Sequence, residues 1–419
     1  MFKKTIISEF FTTISFKQAL DSLYLMTFWS YKLKYWKEKK EFEKNLLEYL
    51  WKKDSKIISF YNWRNAIYHV LKIIWIEEKD EIIINSYTCS VVVNAIIQSK
   101  WKIKFCDIEA ETLSFDFDIL KKNITQNTKV VIIQHTFWKQ ARDYKKIIDF
   151  CKKENILIIE DCAHSLGNNS ELLWDFAIYS TGRDKVISSV TWGFLVINNE
   201  KYLKKDVINW HLYNSLKMPS IKLIFQNLLY NIVWYKAYKL YDFFKLWRVV
   251  IFLSRKLNLI TQILSKKEKD FSEKNFNLDF PNSLAYLALK ELDKLDEYTE
   301  YRINKSIEYI QLINNKKIKV LFQIITEKNY NWFRFPILLN SQEEKNKLIK
   351  LWRKNNIIFW NQWSGSNIIP VWIDLEKAGY KIWSCPVAED ISKRIVILPN
   401  HKLISKEDLD RVVKLLNNF

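Results

Sequence analysis

An α/β fold built on a mostly parallel sheet sandwiched by helices, followed by a smaller C-terminal α+β domain, is what this chain predicts. Two observations carry that expectation. From about residue 56 to 200, short apolar runs alternate with segments of helix length, the order of a parallel sheet with helical crossovers. Several runs are continuous in Ile and Val, as strands covered on both faces must be. The 419 residues are enough for two or three compact units with ample core.

In chain order, strands are expected at Lys56–Phe60, Glu81–Ser86, Lys102–Ile108, Lys129–His135, Ile156–Cys162, Phe176–Thr181 and Phe194–Asn198. Helical patterns such as Asn65–Ile74 and Asp143–Glu154 lie between them. In such sheets the chemistry gathers at the C-terminal strand ends. Residues 205–275 differ, being aromatic, punctuated by lysine and helical in pattern, for example over Ile221–Leu253. They read as a helical insertion packed on the core or on a partner subunit. The functional alternative is an amphipathic element making weak membrane-surface contact. Asn282–Ile313 reads as one long helix, with Leu284, Leu287, Ala288, Leu292 and Leu295 at helical spacing. A strand (Phe333–Leu339), a helix (Ser341–Lys354), a strand (Arg394–Leu398) and a last helix from Ser405 follow. Ser405 with Glu407 and Asp408 resembles an N-cap with an acidic first turn. The division is an N-terminal helical segment 1–55, a large domain 56–204, the insertion 205–275, and the long helix with the small domain 276–419.

The formal charge is +19 and the pI about 9.4. The lysines are spread along the chain and no nucleic-acid motif accompanies them. They read as a solvated surface that can steer anionic small molecules, with no nucleic-acid partner. Cys89, Cys106, Cys151, Cys162 and Cys385 form no CxxC pair and no zinc spacing, so no metal site is expected. They fit reduced thiols of a cytoplasmic protein. Met1-Phe2-Lys3-Lys4 resembles a signal start, but Glu9 interrupts the apolar stretch and no small-residue cleavage site follows, which argues against export. No run of eighteen uncharged apolar residues predicts a membrane span.

Eighteen tryptophans stand against five glycines, where typical usage is about 7% glycine. Trp63, Trp138 and Trp192 occupy turn positions, where a chain needs positive φ or close backbone approach. The surrounding composition is rich in Lys, Asn, Ile, Phe and Tyr, the amino acids of AT-rich codons, a bias that should deplete tryptophan. The reading is that UGA codons for glycine are printed as tryptophan. Ten overpacking changes at about 1–3 kcal/mol each would exceed a domain stability of about 5–15 kcal/mol.

Three features carry chemistry. Ile159-Glu160-Asp161-Cys162-Ala163-His164 ends a strand with two acids and a histidine, and a buried acid needs a cationic partner. Ser180-Thr181-Gly182-Arg183-Asp184-Lys185 places a lysine past a strand end, where desolvation can make it a neutral amine able to form a Schiff base. Asn62-Trp63-Arg64-Asn65-Ala66 joins strand to helix; with glycine at position 63 its amides could cradle a phosphate. A carboxylate, a lysine and a phosphate cradle are what pyridoxal 5′-phosphate (PLP) requires.

With these motifs the chain resembles the DegT/DnrJ sugar aminotransferases, of the fold-type-I PLP enzymes. The family pattern S-G-R-N-A-L is similar to Asn62–Ile67, H-x-x-G to His135–Trp138, and K-x-x-x-x-x-G-G to Lys185–Gly193. Further on, G-x-W is similar to Trp360–Trp363, G-S-C-P-x-A-E to Trp383–Glu389, and L-P-x-H to Leu398–His401. Trp36, Trp51, Trp75, Trp101, Trp174 and Trp372 also resemble glycine slots, whereas Trp247 and Trp332 are open. The resemblance implies Lys185 as the Schiff-base lysine, Asp161 on the pyridinium nitrogen and His164 beside the cofactor ring. Ser180 and the backbone of Trp63 and Arg64 would hold the phosphate, and the Arg64 side chain could add a charged contact. It also implies a homodimer, a nucleotide-linked keto-sugar acceptor, glutamate as amino donor and a role in surface polysaccharide synthesis. Two departures stand out. Cys89 occupies the place of the stacking aromatic, so that either Tyr87 substitutes or the stacking is weaker, and the Asn-Tyr-Arg segment is only echoed in Phe276–Asn282. Two alternatives remain: a PLP-dependent sugar dehydratase of the same family, against which Lys185 in the place of a histidine argues, and a noncatalytic membrane-surface or interaction protein if the tryptophans are literal.

Overall fold

The computed structural model describes residues 4–8, 14–28, 30–75, 77–167, 175–203, 215–244, 246–262, 264–321, 333–359 and 363–419. Trp174, Trp332, Trp360 and the start of the expected insertion lie outside the described residues.

Seven strands form the central sheet: β1 (Lys56–Phe60), β2 (Glu81–Asn85), β3 (Lys102–Cys106), β4 (Thr128–Gln134), β5 (Leu157–Cys162), β6 (Phe176–Ser180) and β7 (Gly193–Ile197). Their order is β1-β7-β6-β5-β4-β2-β3. The pairs β6-β5, β5-β4, β4-β2 and β2-β3 are parallel. β7 runs antiparallel to both of its neighbours. The continuous Ile/Val runs follow from burial of both faces. Ile82, Ile84, Ile132 and Ile159 join one apolar cluster, while Ile83, Val131, Ile133 and Ile158 join another. Full burial of each such side chain contributes about 1.5–3 kcal/mol.

Boundaries shift where local chemistry intervenes. β3 ends at Cys106 rather than Ile108 because Asp107 turns to cap another helix. Its carboxylate accepts the N–H groups of Val387 (2.9 Å) and Ala388 (3.0 Å) at the start of Pro386–Arg394. The first crossover helix is Trp63–Ile73 and begins two residues earlier than expected, since the Asn62 side chain caps it by accepting from the Asn65 N–H. Asn282–Ile313 is two helices, Asn282–Leu292 and Leu295–Leu312. Lys294, at φ −107° and ψ 4°, interrupts the hydrogen-bond ladder. In the insertion, Ile221–Lys239 and Leu246–Lys256 are separate helices. The segment before the sheet holds the helices Phe16–Leu25, Ser30–Lys34 and Glu38–Tyr49.

The C-terminal unit pairs β8 (Lys319–Val320), β9 (Phe335–Leu338) and β10 (Ile395–Leu398) antiparallel. Its helices are Gln342–Lys354, Pro386–Arg394 and Lys406–Asn417, the last opened by a Ser405–Asp408 capping box. The loop before Ile368–Ile369 reaches the large sheet: those two residues pair with Thr88–Cys89, and the Asn367 side chain donates to the Ser86 carbonyl at 3.1 Å. His401 ties the amino-terminal strand Ile6–Ile7 to this unit by donating from Nε2 to the Ile7 carbonyl at 2.8 Å. Its Nδ1 accepts from Leu403 N–H at 3.4 Å, so the neutral ring is satisfied on both nitrogens.

Burial, with Arg302 and Lys4 nearby, pushes His401 down to about 4. The unfolded chain therefore binds the extra proton first, and the stability contributed by the neutral ring is present above about pH 6.5 and lost as pH falls toward 4. The expected loss is about 3 kcal/mol. Unfolding midpoints of the protein and of His401→Gln between pH 7 and 4 check this; equal slopes would exclude it.

Candidate active site

Alternation along β5 sends its two acids to opposite faces. Glu160 lies on the inner side, fully buried, where its carboxylate takes His135 Nε2 at 2.9 Å and the Tyr144 hydroxyl. Asp161 faces the other way and accepts the Ala163 N–H at 3.0 Å. Burial pushes Asp161 up to about 6, against the pull of the Ala163 N–H, Lys185 and His135.

Lys185 stands in the loop between β6 and β7, held by its N–H on the Gly182 carbonyl at 3.1 Å. Its Nζ lies 3.9 Å from Asp184 Oδ1 and its side chain is 12% exposed. Burial lowers its pKa, opposed by Asp184 and Asp161 and assisted by Arg334. Asp184 binds Arg334 Nη2 at 2.8 Å. Burial works against the Asp184 charge, but Lys185 and Arg334 hold its carboxyl below the usual range. His164 is stacked between Phe333 (4.6 Å) and Phe137 (5.7 Å), with the Trp363 edge at 4.9 Å. Its Nδ1 accepts the Phe137 N–H at 3.3 Å. Burial, then Lys185 and Arg334, holds its pKa well below the ordinary value.

The side where a phosphate cradle is expected is assembled by strand register. Gly193 is paired with Phe60 on one side and Ser180 on the other. This brings the β1 end, the β6 end and the N-terminus of Trp63–Ile73 together. Ser180 Oγ accepts the Gly182 N–H at 3.2 Å. A Cβ at position 193 would stand 2.1 Å from Trp63 Cα. Arg64 differs from the phosphate contact its position suggested: Nη1 is paired with Glu268 at 2.7 Å. Tyr87 is fully buried and turns its hydroxyl to the Trp363 carbonyl. Cys89 lies within electrostatic reach of Lys185 and Arg64, and burial pushes its thiol up to about 11.

Sequence reading missed several residues here. Arg334, only 3% exposed, stands over the Phe333 ring at 4.9 Å. A lone arginine in the apolar run Phe333–Leu339 was the available signal. Asp184, Glu160 and His135 stand inside the quoted motifs without a role assigned to them, and Phe137 and Tyr144 had no signal beyond proximity to the motifs.

The tryptophans at the glycine-like positions fit poorly. The Trp63 indole lies close enough to Asp161 to lower that carboxyl's pKa, yet its Nε1 is buried without an acceptor. The buried indole nitrogens of Trp138 and Trp192 likewise lack one. Trp138, Trp51 and Trp383 hold φ of 84°, 55° and 70°, where glycine is favoured. Trp192 is nevertheless well packed against Phe194 and Phe42, and Trp101 Nε1 donates to the Leu71 carbonyl at 3.3 Å.

The chain is similar to known proteins along most of its length. Over 410 residues the chain is 22% identical to GDP-perosamine synthase of Escherichia coli O157:H7, covering 96% of this chain and 93% of that enzyme. With the same-named enzyme of Vibrio cholerae the identity is 29% over 169 residues, 39% of this chain and 45% of that one. Among solved structures, Helicobacter pylori PseC, an aminotransferase involved in the biosynthesis of pseudoaminic acid, superposes with a TM-score of 0.73 at 16% identity, covering 99% of each chain. Bacillus subtilis NtdA with bound cofactor PMP superposes with a TM-score of 0.69 at 17% identity, covering 97% of this chain and 82% of that one. The fold is thus that of the fold-type-I PLP aminotransferases. The model of the DegT/DnrJ/EryC1/StrS aminotransferase family matches residues 27–209 and 255–417, and the chain belongs to that PLP-dependent family.

Proposed function

We propose that this enzyme moves an amino group, from glutamate as donor, to the keto carbon of a nucleotide-linked sugar, and that the product feeds surface polysaccharide synthesis from the cytoplasm. The observation that carries this reading is the convergence of Asp161, Lys185, His164 and Ser180 on the end of one sheet beside a helix N-terminus. The related enzymes named for perosamine and pseudoaminic acid support a sugar acceptor. The excess positive charge favours encounter with anionic substrates.

The polar side chains fit PLP, with one exception. Asp161 would face the ring nitrogen, Lys185 the aldehyde carbon, His164 the ring, and Ser180 with the backbone at 63 and 64 the phosphate. The exception is the Trp63 indole, which stands beside Asp161, so the fit requires glycine at position 63. PLP supplies an aldehyde that carries the amino group and a ring that takes up an electron pair.

The chain's own residues do the rest. Asp161, once it faces a cation, stays ionised and keeps that cation protonated. Burial lowers the Lys185 pKa, which favours the free amine, so Nζ can take a proton from the donor's α-carbon in one half of the transfer and give one to the acceptor's carbon in the other. Neutral His164 and the rings around it exclude water from that transfer. Arg334 and Asp184 provide a paired charge beside Lys185 that can orient an anionic donor. Lysine at 185 disfavours the dehydratase alternative, which places histidine there.

Three outcomes are expected. Lys185→Ala should lower the single-turnover rate of amino transfer at least about 10³-fold; a variant retaining a tenth of the rate would remove Lys185 from this role. Peptide mass spectrometry of the native protein should find glycine at positions 63, 138 and 192. Tryptophan at 63 and 192 would favour the noncatalytic alternative. Sedimentation of the holoenzyme should give the mass of a homodimer, with a second subunit completing each site; a monomer that turns over at full rate would refute this.

A further inference from the structure

The helices Ile221–Lys239 and Leu246–Lys256 fall mostly in the stretch the family model leaves unmatched, between 209 and 255. The inner side of this pair is engaged: Tyr230, Trp234 and Ile251 pack with Val190 of the Lys185 loop. Among the described residues, the outer side is not. Phe243, Phe244, Val249, Phe252, Leu253 and Leu257 are between 46% and 85% exposed. A contiguous exposed apolar patch of this kind marks an interaction surface.

Charge identifies the partner. From residue 215 to 267 the sequence carries ten Lys and Arg and one acid, Asp242. Arg248, Arg255 and Lys256 are exposed on the helix that presents Val249, Phe252 and Leu253. A second copy closing by two-fold symmetry would set this cationic patch against itself. An anionic lipid surface meets it with opposite charge and gives the phenyl rings an apolar boundary to enter. Eleven helical residues span only about 16 Å, against about 30 Å for a bilayer core, and no described helix is long and apolar enough to cross a membrane. The helix therefore lies in the plane of the surface.

We propose that this helical pair docks the enzyme on an anionic lipid bilayer, with Phe243, Phe244, Phe252 and Leu253 at the headgroup boundary and Arg248, Arg255 and Lys256 on the headgroups. This stands independently of the transfer reaction. The test is cosedimentation of the full chain with vesicles of phosphatidylglycerol and phosphatidylcholine, and with phosphatidylcholine alone. Binding is expected on the anionic vesicles, weakened at least about tenfold by raising salt from 0.1 to 0.5 M, which shortens the screening length from about 10 Å to under 5 Å. Phe252→Asp with Leu253→Asp, and separately Arg248→Glu with Arg255→Glu, should each reduce binding at least about tenfold while circular dichroism stays unchanged, since all four side chains are exposed. Protein left in the supernatant with both vesicle types would overturn the proposal. So would binding by both variants equal to that of the unsubstituted protein, or variants that split an oligomer in the absence of vesicles, which would show a second copy covering the face.

Discussion

The absence of a side chain at Gly193 is the constraint on which the site depends. β7 is the only antiparallel strand in the sheet, and its first residue lies opposite Phe60 and Ser180 at once. A Cβ there would meet the backbone of Trp63 at 2.1 to 2.3 Å. Only a glycine lets the helix N-terminus settle onto the strand ends, where its free N–H groups can face an anion. Slipping β7 by one residue would replace that hydrogen with the Phe194 side chain and push the helix start away from Ser180. The short loop that carries Lys185 is anchored at the same place, because Thr181 N–H donates to the Trp192 carbonyl at 3.2 Å. One register thus positions both the helix N-terminus and the lysine.

Burial then acts on Asp161, Lys185 and His164, and its sign depends on the group. It raises Asp161, lowers Lys185 and lowers His164. All three are drawn toward their neutral forms, which for Lys185 suits proton transfer, whereas Asp161 gains its charge only opposite a cation. Asp184 is the exception, kept ionised because Lys185 and Arg334 flank it. The difference between Asp161 and Asp184 lies in their partners. Asp161 has one N–H donor and a more distant lysine, whereas Asp184 has an arginine at 2.8 Å. Asp161 therefore awaits a cation, and Asp184 already has one.

The strands were legible in the sequence because both faces are buried and the Ile/Val runs admit few other readings. β1 coincides with its expected span, and the others differ by a residue or two at their ends. What sequence could not carry is contact between distant segments. Nothing in Arg64 signals that Glu268 will meet it, and nothing in Asp107 signals a helix 280 residues onward. The break at Lys294 was hidden because apolar spacing continues from Leu292 to Leu295 while the backbone turns aside. Lys185, Asp161, His164 and Ser180 lie at or just past strand ends, where the order of elements in the sequence placed them. Arg334 comes from the small unit, and its approach to Asp184 is a product of tertiary packing alone.

The insertion is bound into this same machinery through its inner surface. Arg183, two residues before Lys185, lies over the Tyr230 ring at 4.1 Å and donates to the Thr261 carbonyl at 2.9 Å. Thr261 in turn donates to Asn227 Oδ1 at 3.0 Å, and Asn227 Nδ2 donates to the Tyr61 hydroxyl at 2.6 Å. The chain of contacts runs from the lysine loop, through the insertion, to the residue before the helix cap Asn62. Val190 in the same loop holds φ of 76°, a conformation that is costly for a β-branched residue and persists only where packing enforces it. The cluster of Tyr230, Trp234 and Ile251 supplies that packing. A helical pair that braces the loop on one side and offers an apolar, cationic face on the other has two surfaces under separate physical demands. Substitutions on the inner face should therefore disturb Lys185, and those on the outer face should leave it in place.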